Sequence, residues 1–188
     1  MTDVLAAALG YINFGYSIIP IRPGSKKPSE AWKNTGATNS RSEATERWSG
    51  SFSTHGIGIV TGPDSGCFVL DIDGTQGAET LAQLEHEHGT LPETVEQATG
   101  NGRHLFFAYP AEVKVGNSAS KIGPGVDVRG KGGQVCAPPT VHPDTGALYD
   151  WLDGHAPDER PLAAAPDWLI DLCTRSRGQS TSTEANVR

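Results

Sequence analysis

Three short segments of the 188-residue chain carry residues whose types and spacing can do metal and phosphate chemistry. The first is VLDIDG, residues 69–74. Alternate residues of a strand share a face, so Asp71 and Asp73 point one way and Leu70 and Ile72 the other, into a core. Two neighbouring carboxylates repel, and the pair is tolerated where a divalent cation lies between them. Hard cations such as Mg²⁺ take oxygen ligands and need only a few carboxylates plus substrate phosphates. A solvated strand end before a glycine turn would use the same residues. The second segment is GVDVRGKGG, residues 125–133. Here alternation puts Asp127 and Arg129 on one face, and Lys131 joins them if the strand persists past Gly130. One acid and two bases projecting together suit a metal-bound triphosphate, the acid holding the metal and the bases neutralising phosphate oxygens. A surface salt-bridge patch is the alternative. The third segment is TGNGRHLFF, residues 99–107. Its glycines let backbone approach a ligand, and Arg103 and His104 follow at the start of a strand. His104 can donate to a phosphate or be merely structural.

Strands, helices and turns must position these groups. Residues 2–14 read as a helix with Thr2 or Asp3 as cap and Gly15 as stop, followed by a buried strand in YSIIPI. A turn-rich basic loop, RPGSKKPSEAW, comes next. Ser40 and Glu43 form a capping box for a short helix ending near Trp48. Residues 56–60 and 67–73 read as strands around the turn GPDSG. A helix from Thr75 to His88 ends at Gly89. Residues 94–99 and 104–109 form a hairpin around GNG, and residues 125–130 and 134–139 suggest another around GKGG. A short strand near Tyr149 and Trp151 and a helix from Asp167 to Thr174 complete the order. Mixed elements in this order predict an α+β domain around a mostly antiparallel sheet.

Length allows one domain, residues 1–173, with residues 174–188 as a polar tail or the start of a linker. Hydrophobic content of 36% and charged content of 20% fit a globular chain. Three cysteines without CxxC spacing suggest buried thiols, not a disulfide framework or structural zinc. The start of the chain lacks the pattern of a secretion signal, and no apolar run reaches the roughly 18 residues of a membrane span. A cytoplasmic protein is expected. The net charge of −7 argues against tight DNA binding by the bulk surface. Local basic positions such as Arg22, Lys26, Lys27 and Lys33 would have to meet phosphates.

In their order, the three segments resemble the bifunctional primase–polymerase domain of the archaeo-eukaryotic primase superfamily. The flanking KKPSEAW, GIGIVTG and APPTVHPDTG stretches are similar too, and the resemblance covers roughly residues 4–173. It implies a primase–polymerase fold whose RRM-like antiparallel sheet carries the active site, flanked by helices. Asp71, Asp73 and Asp127 match the metal carboxylates, although the family often has Glu at the second position. His104 matches the histidine that contacts the nucleotide's phosphates. Arg129, Lys131 and, more remotely, Arg103 lie beside the motifs as further nucleotide contacts. The implied activity is synthesis of primers, and extension of DNA, on single-stranded template from NTP or dNTP substrates with two Mg²⁺ or Mn²⁺ ions. The resemblance also implies a replication role in a plasmid, phage or mobile element and a helicase region C-terminal to this domain.

Two rival readings make different demands. VLDIDGT also resembles the first motif of haloacid-dehalogenase-type phosphohydrolases, with Asp71 as nucleophile, but that family needs a parallel sheet and a late acidic motif that the chain does not offer. A non-catalytic module binding single-stranded nucleic acid would use Phe106, Phe107 and Tyr109 on one exposed face, yet alternation separates Phe106 from the other two.

Overall fold

The computed structural model describes residues 3–33 and 36–175. Helix α1 (Val4–Asn13) is capped by Asp3, whose carboxylate accepts from Leu5 N at 2.9 Å and Ala6 N at 3.3 Å. Thr2, the other candidate cap, lies outside the described residues, as does the expected tail from residue 176 onward. Strand β1 (Ile18–Ile21) leads through the basic loop to α2 (Arg41–Ser49). Only half of the expected capping box forms. Ser40 Oγ accepts from Glu43 N, but the Glu43 carboxylate takes Thr38 Oγ1 instead of the Ser40 amide. Then come β2 (Gly56–Val60), β3 (Cys67–Asp73), α3 (Gly74–His88), β4 (Val95–Ala98) and β5 (Gly102–Ala108). The remaining elements are β6 (Ser118–Gly123), β7 (Val126–Arg129), β8 (Gln134–Ala137), β9 (Asp150–Trp151) and α4 (Asp167–Thr174).

The strands form two sheets. The larger has the order β6-β7-β3-β5-β4-β9 and the smaller β1-β2-β8, and all neighbouring strands run antiparallel. The α+β expectation is met. The parallel sheet that the hydrolase reading requires is not formed: β3 runs antiparallel to both its neighbours.

Alternation along β3 splits two cores. Cys67 and Val69, with Phe106 of β5 and Val95 of β4, pack under the smaller sheet and against Tyr11 of α1 and Trp48 of α2. Phe68, Leu70 and Ile72 face the other way, with Phe107, Val126 and Val128, towards Leu81 of α3 and Leu169 of α4. Phe106 therefore belongs to one core and Phe107 and Tyr109 to the other, so no exposed aromatic platform exists on β5. All three cysteines are buried thiols, and burial pushes Cys67 up to about 12 and Cys136 up to about 11.

The hairpin expected around GKGG does not form. β7 and β8 enter different sheets, because the connecting residues are claimed by other partners. Gly130 O accepts from Thr61 Oγ1 at 2.7 Å, Lys131 N donates to Val115 O at 2.8 Å, and Gly133 O accepts from Thr61 N at 3.0 Å. These bonds carry the chain across from the larger sheet to the smaller. β7 pairs instead with β6, an edge strand of half-buried and exposed residues whose sequence SASKIG has no apolar alternation.

Candidate metal centre

The larger sheet brings Asp71 and Asp127 into direct cross-strand register, and His104 faces Asp71 from the other side. Asp73 follows two residues on at the C-terminal end of β3. One oxygen from each of Asp71, Asp73 and Asp127 lies within 4.8 Å of the others. Backbones pack closely at this end of the sheet: a Cβ at Gly102 would meet Ile72 O at 1.9 Å, and one at Gly125 (φ +71°) would stand 2.6 Å from Gly77 N. Asp73 occupies the N-cap position of α3 but makes no side-chain capping bond. Its carboxylate is left free to face the cluster, where a capping Asp would normally turn to the helix amides.

Arg129 and His104 hold the buried carboxylates. Arg129 Nη2 donates to Asp71 Oδ2 at 2.9 Å and to Asp127 Oδ2 at 2.8 Å, bridging the two strands. Ser120 N of β6 donates to Asp127 Oδ1 at 2.8 Å. His104 Nε2 lies 3.1 Å from Asp71 Oδ1. Behind the imidazole, Gln97 Nε2 is 2.7 Å from Cys136 O and 2.6 Å from His104 Nδ1. A carbonyl only accepts, so the Gln97 amide donates to it, and the same NH₂ meets Nδ1 as an acceptor. His104 therefore presents Nε2–H to the cleft side. Burial alone would raise the Asp71 pKa, but the hydrogen bonds of His104 and Arg129, with the guanidinium charge, outweigh it and hold the group at about 2. Asp73 is pushed the other way, by desolvation and then by the charges of Asp71 and Asp127, against a counteracting pull from Lys26.

Asp71, Asp73, His104 and Arg129 line a cleft of about 240 Å³, with Asp127 beside it on β7. Lys26, Thr99, Gln134, His142 and Tyr149 complete its walls. A larger cavity of about 640 Å³, lined by Arg22, His55 and Val141 among others, contains no acidic residue. Volume alone therefore does not locate the chemistry.

Of the residues singled out in the sequence, Asp71, Asp73, Asp127, His104 and Arg129 converge. Lys131 and Arg103 do not. β7 ends at Arg129, and Lys131 is exposed in the crossing loop, outside the cleft lining. Arg103 is the residue next to His104 and so points to the opposite face of the sheet, where it pairs with Glu96 at 2.9 Å. Sequence reasoning missed Gln97, His142 and Tyr149. Gln97 left a trace, since a polar residue at a fully buried strand position needs partners. The other two lie after β8 and reach the cleft only through tertiary folding.

The fold and the cluster define an antiparallel α+β domain with a carboxylate cleft suited to a divalent cation and an anionic substrate. The chain belongs to the family of bifunctional DNA primase/polymerase N-terminal domains, whose sequence model matches residues 8–168. Membership implies primase/polymerase-type nucleotidyl transfer, with nucleotides and DNA as substrates. No curated protein matches the chain in sequence. Among the described residues, no helix is long and apolar enough to cross a membrane.

Proposed function

We propose that the domain is a template-dependent nucleotidyltransferase that makes or extends primers on single-stranded DNA, with two divalent ions held by Asp71, Asp73 and Asp127. The observation that supports this best is the convergence of three carboxylates from two adjacent strands, with oxygens within 4.8 Å, beside donors that suit a triphosphate. The donor set fits Mg²⁺ or Mn²⁺, since every ligand is a hard oxygen and no thiolate or imidazole is needed. The bridge of Arg129 across Asp71 and Asp127 supports the same conclusion, because a cation already sits between them.

Such ions, when bound, lower the pKa of an attacking hydroxyl and stabilise the charge of the departing pyrophosphate. The chain's own residues do the rest. Asp71 remains ionised as a ligand throughout the neutral range. His104 turns Nε2–H from Asp71 to a phosphate oxygen once an ion takes that carboxylate, and Gln97 keeps the proton on Nε2. Arg129 neutralises phosphate charge once ions compete for its carboxylates. No side-chain nucleophile is required. The replication setting and a helicase region C-terminal to this domain are part of the same proposal and rest on family membership alone.

The test is incubation of the domain with single-stranded template, labelled nucleotides and Mg²⁺ or Mn²⁺, with an EDTA control. Template-directed, metal-dependent products are expected. Hydrolysis of an aryl phosphate without nucleotide incorporation would favour the phosphohydrolase reading, and neither activity would remove the catalytic reading.

A further inference from the structure

The loop between β1 and α2 brings Lys26 to the wall of the carboxylate cleft. It is closed at its base by the Ile21–Pro28 bridge and by Arg22 N donating to Lys27 O at 2.9 Å. Gln134 of β8, itself part of the cleft wall, donates from Nε2 to Lys26 O at 3.1 Å. The backbone of Lys26 is therefore tied to the site while its side chain is half exposed. That side chain lines the cleft with Asp71, Asp73, His104 and Arg129. Its only ion pair among the described residues is with Asp144 at 3.8 Å, and Asp144 is 77% exposed. Such a pair is weak and easily exchanged. Arg129, by contrast, is held by two site carboxylates until ions displace it.

A triphosphate in this cleft stays anionic even with metal bound. Its oxygens that do not meet the metal need a further cation in the cleft lining. We infer that Lys26 is a triphosphate-binding residue, which leaves Asp144 for the phosphate oxygens when nucleotide enters. The inference rests on the nucleotidyl-transfer reading of the cleft. It assigns Lys26 to the nucleotide, where the sequence suggested only a patch for nucleic-acid backbone. A lysine suits the task, since its compact charge follows a flexible phosphate chain without fixed geometry.

Calorimetric titration of ATP with Mg²⁺ into wild type, Lys26→Gln, Lys26→Arg and Asp144→Asn tests this. Lys26→Gln should bind about tenfold more weakly, the size of one charge-assisted hydrogen bond. Lys26→Arg should restore most of the affinity. Asp144→Asn removes the competing anion and should bind as tightly as wild type or more tightly. Equal weakening in Lys26→Gln and Asp144→Asn would make the pair a structural pin and overturn the inference. Undiminished affinity in Lys26→Gln would overturn it while leaving the proposed function intact. No ATP binding by wild type would defeat both.

Discussion

Strand β3 has two ends that obey opposite rules on one face of the sheet. At Cys67 and Val69 that face is roofed by the smaller sheet and is dry, with Phe106 fully buried beside them. At Asp71 and Asp73 the same face becomes a carboxylate cleft, walled by the edge strand β8 and by loops. His104 sits at the border, its ring 6.4 Å from Phe106 and its Nε2 on Asp71. The apolar end holds the strand rigid, and the polar end spends that rigidity on keeping like charges together. Burial is thus put to stability at one end of a single strand and to chemistry at the other.

Substitutions can break this division. The largest effect belongs to the polar end. Asp127→Asn should lower nucleotide incorporation by on the order of a thousandfold, about 4 kcal/mol of barrier, while circular dichroism remains that of wild type. Retained activity would remove Asp127 from the site. At the apolar end Phe106→Ala should cost about 3–5 kcal/mol in denaturant unfolding, since it empties a fully buried position. An acid titration sharpens the contrast further. The folded pKa of Asp71 lies below its unfolded value, so its contribution of about 2 kcal/mol is present above about pH 4 and fades as pH falls towards 2. Unfolding midpoints of wild type and Asp71→Asn should therefore converge at low pH. The smallest effect is expected for Arg103→Gln, which sits on the far face: activity should change less than about twofold, with a loss of roughly 1 kcal/mol from its pair with Glu96. A large loss of activity there would bring the far face into the site.

Much of the cleft was legible in the sequence because strands repeat every two residues. Asp71 with Asp73, and Asp127 with Arg129, follow from alternation alone. The same rule separates Arg103 from His104, which are adjacent and so cannot share a face. Lys131 escaped because strand length is set by tertiary bonds: Thr61 claims the carbonyls of Gly130 and Gly133, and nothing within GKGG announces it. The small sheet was hidden for a related reason. β8 reads as a good strand next to β7, and only its pairing with β2, far back in the chain, reveals where it goes. Gln97, His142 and Tyr149 meet the site through such long-range packing, beyond the reach of local pattern.

The central claim is that three carboxylates form one cation site, and thermal melts of wild type and Asp73→Asn test it most directly. Without metal, the substitution relieves repulsion and should leave the melting temperature equal to or above that of wild type. Mn²⁺ with a nucleoside triphosphate should then stabilise wild type, by about 2.7 kcal/mol at a hundredfold excess over Kd, and the variant much less. An equal metal-induced shift in the two proteins would contradict the account.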